Sequence, residues 1–168
     1  GESYLSVPFL AKSQNVGSQL RDNQVYVLTG SRTASASELI INGLKPFMDV
    51  FLVGGKTIGK NVGSITIYNE NDPNNKWGMQ PIVTKLLNNA GQSDYTNGFT
   101  PQIQSDDNSL YLYPLGDPRE VLLGKAITQI TGIAQPARTL KTENAGELIY
   151  HSLDMKKRSG VVDVDLPF

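Results

Sequence analysis

The 168 residues carry 15 Lys+Arg against 16 Asp+Glu, a formal charge of -1, with 39% hydrophobic and 18% charged residues. That balance suits a globular chain and gives no basic stripe for a phosphate backbone, and no apolar run approaches the roughly 18 residues of a transmembrane helix. Cysteine is absent, which excludes disulfides, thiolate zinc sites and a thiol nucleophile, and the one histidine, His151, leaves no material for a histidine metal cluster.

The length fits one domain with a real core. Residues 1 to 24 scatter Tyr4, Leu5, Val7, Phe9 and Leu10 among polar residues without sustained periodicity, and read as a connecting segment. The opening GESYLSVPFL lacks the basic start, apolar stretch and small-residue cleavage site of a signal peptide, and Gly1 in place of methionine marks a candidate cut end. Val25 to Thr29, closed by Gly30, reads as a buried strand. From Ala36 to Lys45 the apolar Leu39, Ile40 and Leu44 recur at helical spacing, and Pro46 disfavours a helical residue before it. Val50 to Val53, ended by Gly54-Gly55, completes a strand-helix-strand unit, right-handed if its strands are parallel.

Ile65 to Tyr68 and Met79 to Leu87 flank a turn-rich stretch from Asn69 to Lys76, the pattern of a long hairpin. Residues 88 to 109 read as loop, with Asn97-Gly98 and Pro101, and Leu110 to Tyr113 as a short strand. Asp117-Pro118-Arg119-Glu120 supplies an N-cap, a proline at the first helical position and an acid at the third. Leu122, Leu123, Ala126, Ile127 and Ile130 then form a core-facing stripe that Gly132 ends. The expected organisation is therefore a core over 25–132 followed by a polar tail over 133–168.

Thr33-Ala34-Ser35-Ala36-Ser37-Glu38 lies between the first strand and its helix, where backbone N–H groups lack intrahelical partners. A serine there can attack a carbonyl while the following amide stabilises the oxyanion, or Ser35 or Ser37 can simply cap the helix. Lys60 follows the second strand in Gly55-Lys56-Thr57-Ile58-Gly59-Lys60; it serves as a base only where its surroundings lower its proton affinity, and otherwise is a solvated side chain.

Thr33-Ala34-Ser35-Ala36-Ser37-Glu38-Leu39 followed by Thr57-Ile58-Gly59-Lys60 closely resembles the S41 family of C-terminal processing peptidases. The resemblance runs over about residues 20 to 132, and Asn97-Gly98-Phe99-Thr100-Pro101 and Pro114-Leu115-Gly116-Asp117-Pro118 look like forms found in envelope-associated members from Bacteroidetes-type bacteria. It implies that Ser35, three residues before Glu38, is the nucleophile and that Lys60, 25 residues after it, is the base. It further implies the amide of Ala36 as an oxyanion donor, peptides or proteins as substrates, no metal or organic cofactor, and a periplasmic or cell-envelope location in a Gram-negative bacterium. The implied fold is α/β, a ClpP/crotonase-like spiral of β-β-α units. Ser64 stands where the family often has a lysine-orienting glutamine, and a hydroxyl can accept a hydrogen bond from Lys60. The upstream strand with a glycine-rich oxyanion turn, and a PDZ domain, are not visible in residues 1 to 24. The expectation is a C-terminal part of a longer enzyme, weak alone and prone to self-association at an uncovered sheet edge.

Two further readings compete with it. A Ser-His-Asp triad would have to use His151, which sits in the polar tail without a partner motif. A peptide-binding module or pseudo-peptidase would keep the fold and hold an extended peptide beside an edge such as Ser64 to Tyr68 without turnover. Trp77, Tyr95, Phe99, Tyr111 and Tyr113 read as packing residues, and Lys156-Lys157-Arg158 as a solvated run.

Overall fold

The computed structural model describes residues 20–107 and 113–134, with Pro8, Leu10, Ser13, Gln14 and Gly17. His151, the 156–158 run, residues 110–112 of the expected Leu110 to Tyr113 strand and the tail beyond residue 134 lie outside the described residues, and Tyr113 itself is not in a strand. The architecture is mixed α/β. Strand β1 (Gln24–Thr29) leads into helix α1 (Ala36–Leu44) and then strand β2 (Asp49–Gly54). The two strands are parallel, pairing Gln24 with Asp49 through to Thr29 with Gly54. The apolar middle of each strand needs cover, and two helices among the described residues supply it: α1 contacts β2, and a later helix contacts β1 and β2.

The buried face of α1 is Glu38, Ile41 and Asn42. Leu39 and Ile40, expected on the core side, are exposed; the helix turns Ile41 inward instead, and Leu44 packs beside it. Ile41 joins Val50, Leu52, Tyr95 and Phe99 in the main cluster, with Val25, Val27 and Met48 against its margin. Alternation along β2 sends Val50 and Leu52 to this cluster. Tyr95 and Phe99 come from the long loop after the hairpin and stack at 4.8 Å between ring centroids. Asn side chains latch that loop down: Asn42 Nδ2 donates to the Gln92 carbonyl at 2.9 Å, and Asn61 Nδ2 to the Ser93 carbonyl at 2.9 Å. These bonds satisfy polar groups that burial would otherwise leave costly.

The expected hairpin is present but broken into two short pairs. Strands β3 (Val62–Ser64) and β6 (Ile82–Lys85) are antiparallel at its base, and β4 (Ile67–Tyr68) and β5 (Gly78–Met79) nearer its tip. The interruption follows from Pro81, which has no N–H for the ladder, and from a register shift between Gly63 and Ser64. Strand β7 (Ile103–Gln104) lies in a stretch whose sequence reads as loop; it adds to β2 in parallel through Val53 with Ile103 and Gly54 with Gln104.

Helix α2 (Val121–Thr131) has its N-cap at Glu120, three residues later than the expected cap at Asp117. Asp117 does accept the Arg119 N–H at 2.9 Å as a cap would, and the Arg119 guanidinium at 2.6 Å, but the proline-containing stretch closes a turn, with the Glu120 N–H on the Asp117 carbonyl at 2.9 Å, before the helix begins. The C-terminal expectation holds: Gly132 is left-handed (φ 69°) and its N–H reaches the Thr128 carbonyl at 2.8 Å. Of the apolar stripe, Ala126 is buried whereas Ile130 is exposed. No helix among the described residues is long and apolar enough to cross a membrane.

Candidate active site

The C-terminal ends of β1 and β2 lie side by side, and each is followed by one of the two loops that carry the sequence-predicted residues. The strand ends are stitched together: Gly55 N–H donates to the Thr29 carbonyl and the Thr29 hydroxyl to the Gly55 carbonyl, both at 2.8 Å. Further along, Ile58 N–H donates to the Thr33 carbonyl at 2.9 Å. The serine loop and the lysine loop therefore descend from the sheet as one joined unit.

Ser35 occupies the N-cap of α1 with φ 56° and ψ -115°. A residue with a Cβ is strained there by about 1–3 kcal/mol, and the strain persists only where the surroundings impose it. Glu38 is what imposes it. Ser35 and Glu38 form a capping box, and Glu38 Oε2 accepts the Ser35 N–H at 2.9 Å. The same Oε2 accepts the Lys60 N–H at 2.8 Å. Oε1 accepts the Thr57 hydroxyl and the Gly59 N–H, each at 2.6 Å. One fully buried carboxylate thus binds the backbone of both predicted site residues.

The lysine loop is fixed from its other side as well. The Thr57 hydroxyl accepts the Phe99 N–H at 2.7 Å, and Thr57 N–H donates to the Phe99 carbonyl at 3.1 Å. Gly59 has φ 102°, and a Cβ there would collide with the Thr96 carbonyl and the Gly98 nitrogen, so only glycine lets the two loops approach. Behind Glu38 lies the Tyr95 hydroxyl, buried and without a hydrogen-bond partner among the described residues. Burial, and then the neighbouring Glu38 charge, push its proton affinity up.

Ala36 is the first residue of α1 and exposed, so its N–H belongs to the first-turn amides with no intrahelical acceptor. The Lys60 side chain is exposed, and its ammonium makes no hydrogen bond or ion pair among the described residues. Ser64 sits at the end of β3, exposed, opposite Ile82 at the register shift. The structure thus ties Ser35, Ala36 and Lys60 to one unit and leaves Ser64 on the hairpin without a bond to Lys60. Sequence reasoning used Glu38 only as a spacing mark and gave Thr57 and Tyr95 no place at the site. The Ser-x-x-Glu capping-box pattern was the available signal for Glu38.

Peptidase family S41 matches residues 6–105. Among solved structures, an S41 protease from Bacteroides fragilis superposes with a TM-score of 0.59 at 34% sequence identity, covering 67% of this chain. This chain spans 29% of that protein's length. No match was found among curated proteins.

Proposed function

Since the chain belongs to peptidase family S41, we propose that it carries the Ser-Lys dyad of a serine endopeptidase, with Ser35 as nucleophile and Lys60 as general base. One observation carries this reading: the Ser35 and Lys60 N–H groups share a single oxygen of buried Glu38 while Ser35 is held in a strained strand-to-helix turn. A serine on such a turn presents its hydroxyl ahead of the helix, with the next amide beside it.

In this reading neutral Lys60 takes the hydroxyl proton as Ser35 Oγ bonds to the peptide carbonyl carbon. The carbonyl oxygen becomes an oxyanion facing the Ala36 N–H, whose charge stabilisation is the largest expected contribution to rate. Collapse of the adduct breaks the C–N bond, and the amine leaves with the proton held by Lys60. Water then hydrolyses the acyl-enzyme, with Lys60 again accepting a proton. A lysine base needs desolvation, and Lys60 is exposed among the described residues. Bound peptide, or protein outside those residues, has to supply it. Ser64 belongs to the proposal as an orienting hydroxyl only if the hairpin swings toward Lys60. The β1-α1-β2 unit with β7 alongside would be part of a ClpP/crotonase-like spiral, and a cell-envelope location belongs to the same proposal.

The exposed Lys60 also favours a second reading, a peptide binder without turnover. Purified full-length protein should cleave a fluorogenic peptide and take up a fluorophosphonate at Ser35. Ser35→Ala should abolish both, and Ser37→Ala should leave at least partial activity. A wild type that binds the peptide and never labels would establish the binder; a Ser35→Ala variant that still cleaves would remove Ser35 from the chemistry.

A further inference from the structure

Within the site as proposed above, we infer that Glu38 is the positioning residue that holds the nucleophile turn and the base loop in one geometry, beyond its part in capping α1. An ordinary capping box satisfies two local N–H groups and ends there. Glu38 has four donors, two on each oxygen, and only the Ser35 N–H is local in sequence. The other three, from Thr57, Gly59 and Lys60, belong to the loop after β2, 19 to 22 residues away. All four partners are donors, which is the pattern an acceptor-only carboxylate fits and an amide does not.

The geometry shows why this matters for reaction rather than for folding alone. Ser35 at φ 56° would relax toward ordinary backbone values without an outside restraint, and the restraint on its N–H is Glu38 Oε2. Lys60 has its backbone, and so the root of its long side chain, fixed by that same oxygen. Moving the carboxylate moves nucleophile and base relative to each other. The Thr57 hydroxyl extends the chain of support, giving its proton to Glu38 at 2.6 Å and taking the Phe99 N–H at 2.7 Å, which anchors the arrangement to the aromatic core.

The test is Glu38→Gln in the full-length protein, read as kcat and KM on a fluorogenic peptide well below the melting temperature. Glutamine keeps the volume but turns an N–H₂ toward two of the four donors. A displacement of the order of 1 Å between reacting groups can cost about 10²-fold in rate, so kcat should fall by about that factor while KM stays within about twofold. The rate of fluorophosphonate labelling of Ser35 should fall in parallel. Ile41→Val, in the same helix and fully buried, serves as the stability control and should lower the melting temperature while sparing kcat. If Glu38→Gln does not fold, Thr57→Val removes one donor and should still lower kcat by about tenfold, a fraction of the same misplacement effect. An inactive Ser35→Ala beside a Glu38→Gln, or its Thr57→Val substitute, with kcat no lower than that of Ile41→Val would overturn the inference and leave the dyad standing. An active Ser35→Ala would instead overturn the dyad.

Discussion

Replacing Ser35 by glycine should make the protein more stable than replacing it by alanine, although both variants lack the nucleophile. Both substitutions remove the hydroxyl, so chemistry cancels from the comparison. What remains is the backbone at φ 56°, ψ -115°. Alanine keeps the Cβ and with it strain of about 1–3 kcal/mol. Glycine is free of that strain but gives up roughly 0.5–1 kcal/mol through its greater freedom when unfolded. The difference is about 1 kcal/mol in favour of glycine, or a melting temperature ~2–4 °C higher for a chain of this size. Two residues on, inside α1, Ser37 supplies the opposite sign, because in a helix glycine is worse than alanine by about 0.8–1.0 kcal/mol. Thermal melts followed by circular dichroism on the four variants measure both differences. If Ser35→Ala melts at or above Ser35→Gly, the turn is not strained and the argument that Glu38 restrains it fails.

Lys60→Arg should be inactive at every accessible pH, since guanidinium does not release its proton; near-normal cleavage of a fluorogenic peptide would remove Lys60 from the mechanism. Tyr95→Phe should raise stability by about 1 kcal/mol in a urea melt, because it deletes a buried hydroxyl without a partner, while cleavage stays unchanged. A destabilised Tyr95→Phe would show that the hydroxyl has a partner after all.

Strands β1 and β2 and helix α1 were readable because each is a short uniform run with a breaker at its end: Gly30 after Thr29, Pro46 after Lys45, Gly54 after Val53. Strand β7 was not, since two residues in Thr100-Pro101-Gln102-Ile103-Gln104 give no period to detect and its pairing depends on β2 being there already. At Asp117 the local signal was strong and still lost. Asp117 accepts the Arg119 N–H as a cap would, yet the helix starts only at Val121, and the Arg119 side chain on the same carboxylate holds its pKa at about 2, well below the usual carboxylate range. The site shows the same division. Ser35 and Lys60 could be nominated from a motif, but the reach of Glu38 across to Thr57, Gly59 and Lys60 depends on tertiary structure that no local pattern encodes.

The spacing of 25 between Ser35 and Lys60 has a structural origin that leads to a sharper test. Every pair in the β1-β2 register is also 25 apart, from Gln24 with Asp49 to Thr29 with Gly54. Ser35 and Lys60 therefore stand at equal distances beyond the last paired residues of two adjacent parallel strands. What has to be kept is each residue's distance from its own strand end, and the number 25 follows from the length of the intervening helix and its turns. Two single-glycine insertions separate these ideas, because both change the spacing to 26. One, between Lys45 and Pro46, falls in an exposed turn before β2, where loop lengthening is tolerated at small entropic cost. The other, between Gly55 and Lys56, falls between the strand and the lysine and carries Gly59 and Lys60 off Glu38. The first variant should retain most peptide cleavage, and the second should lose it by about 10²-fold or more, as misplacement of a reacting group predicts. Equal activities in the two would mean that the strand register does not set the geometry of the site.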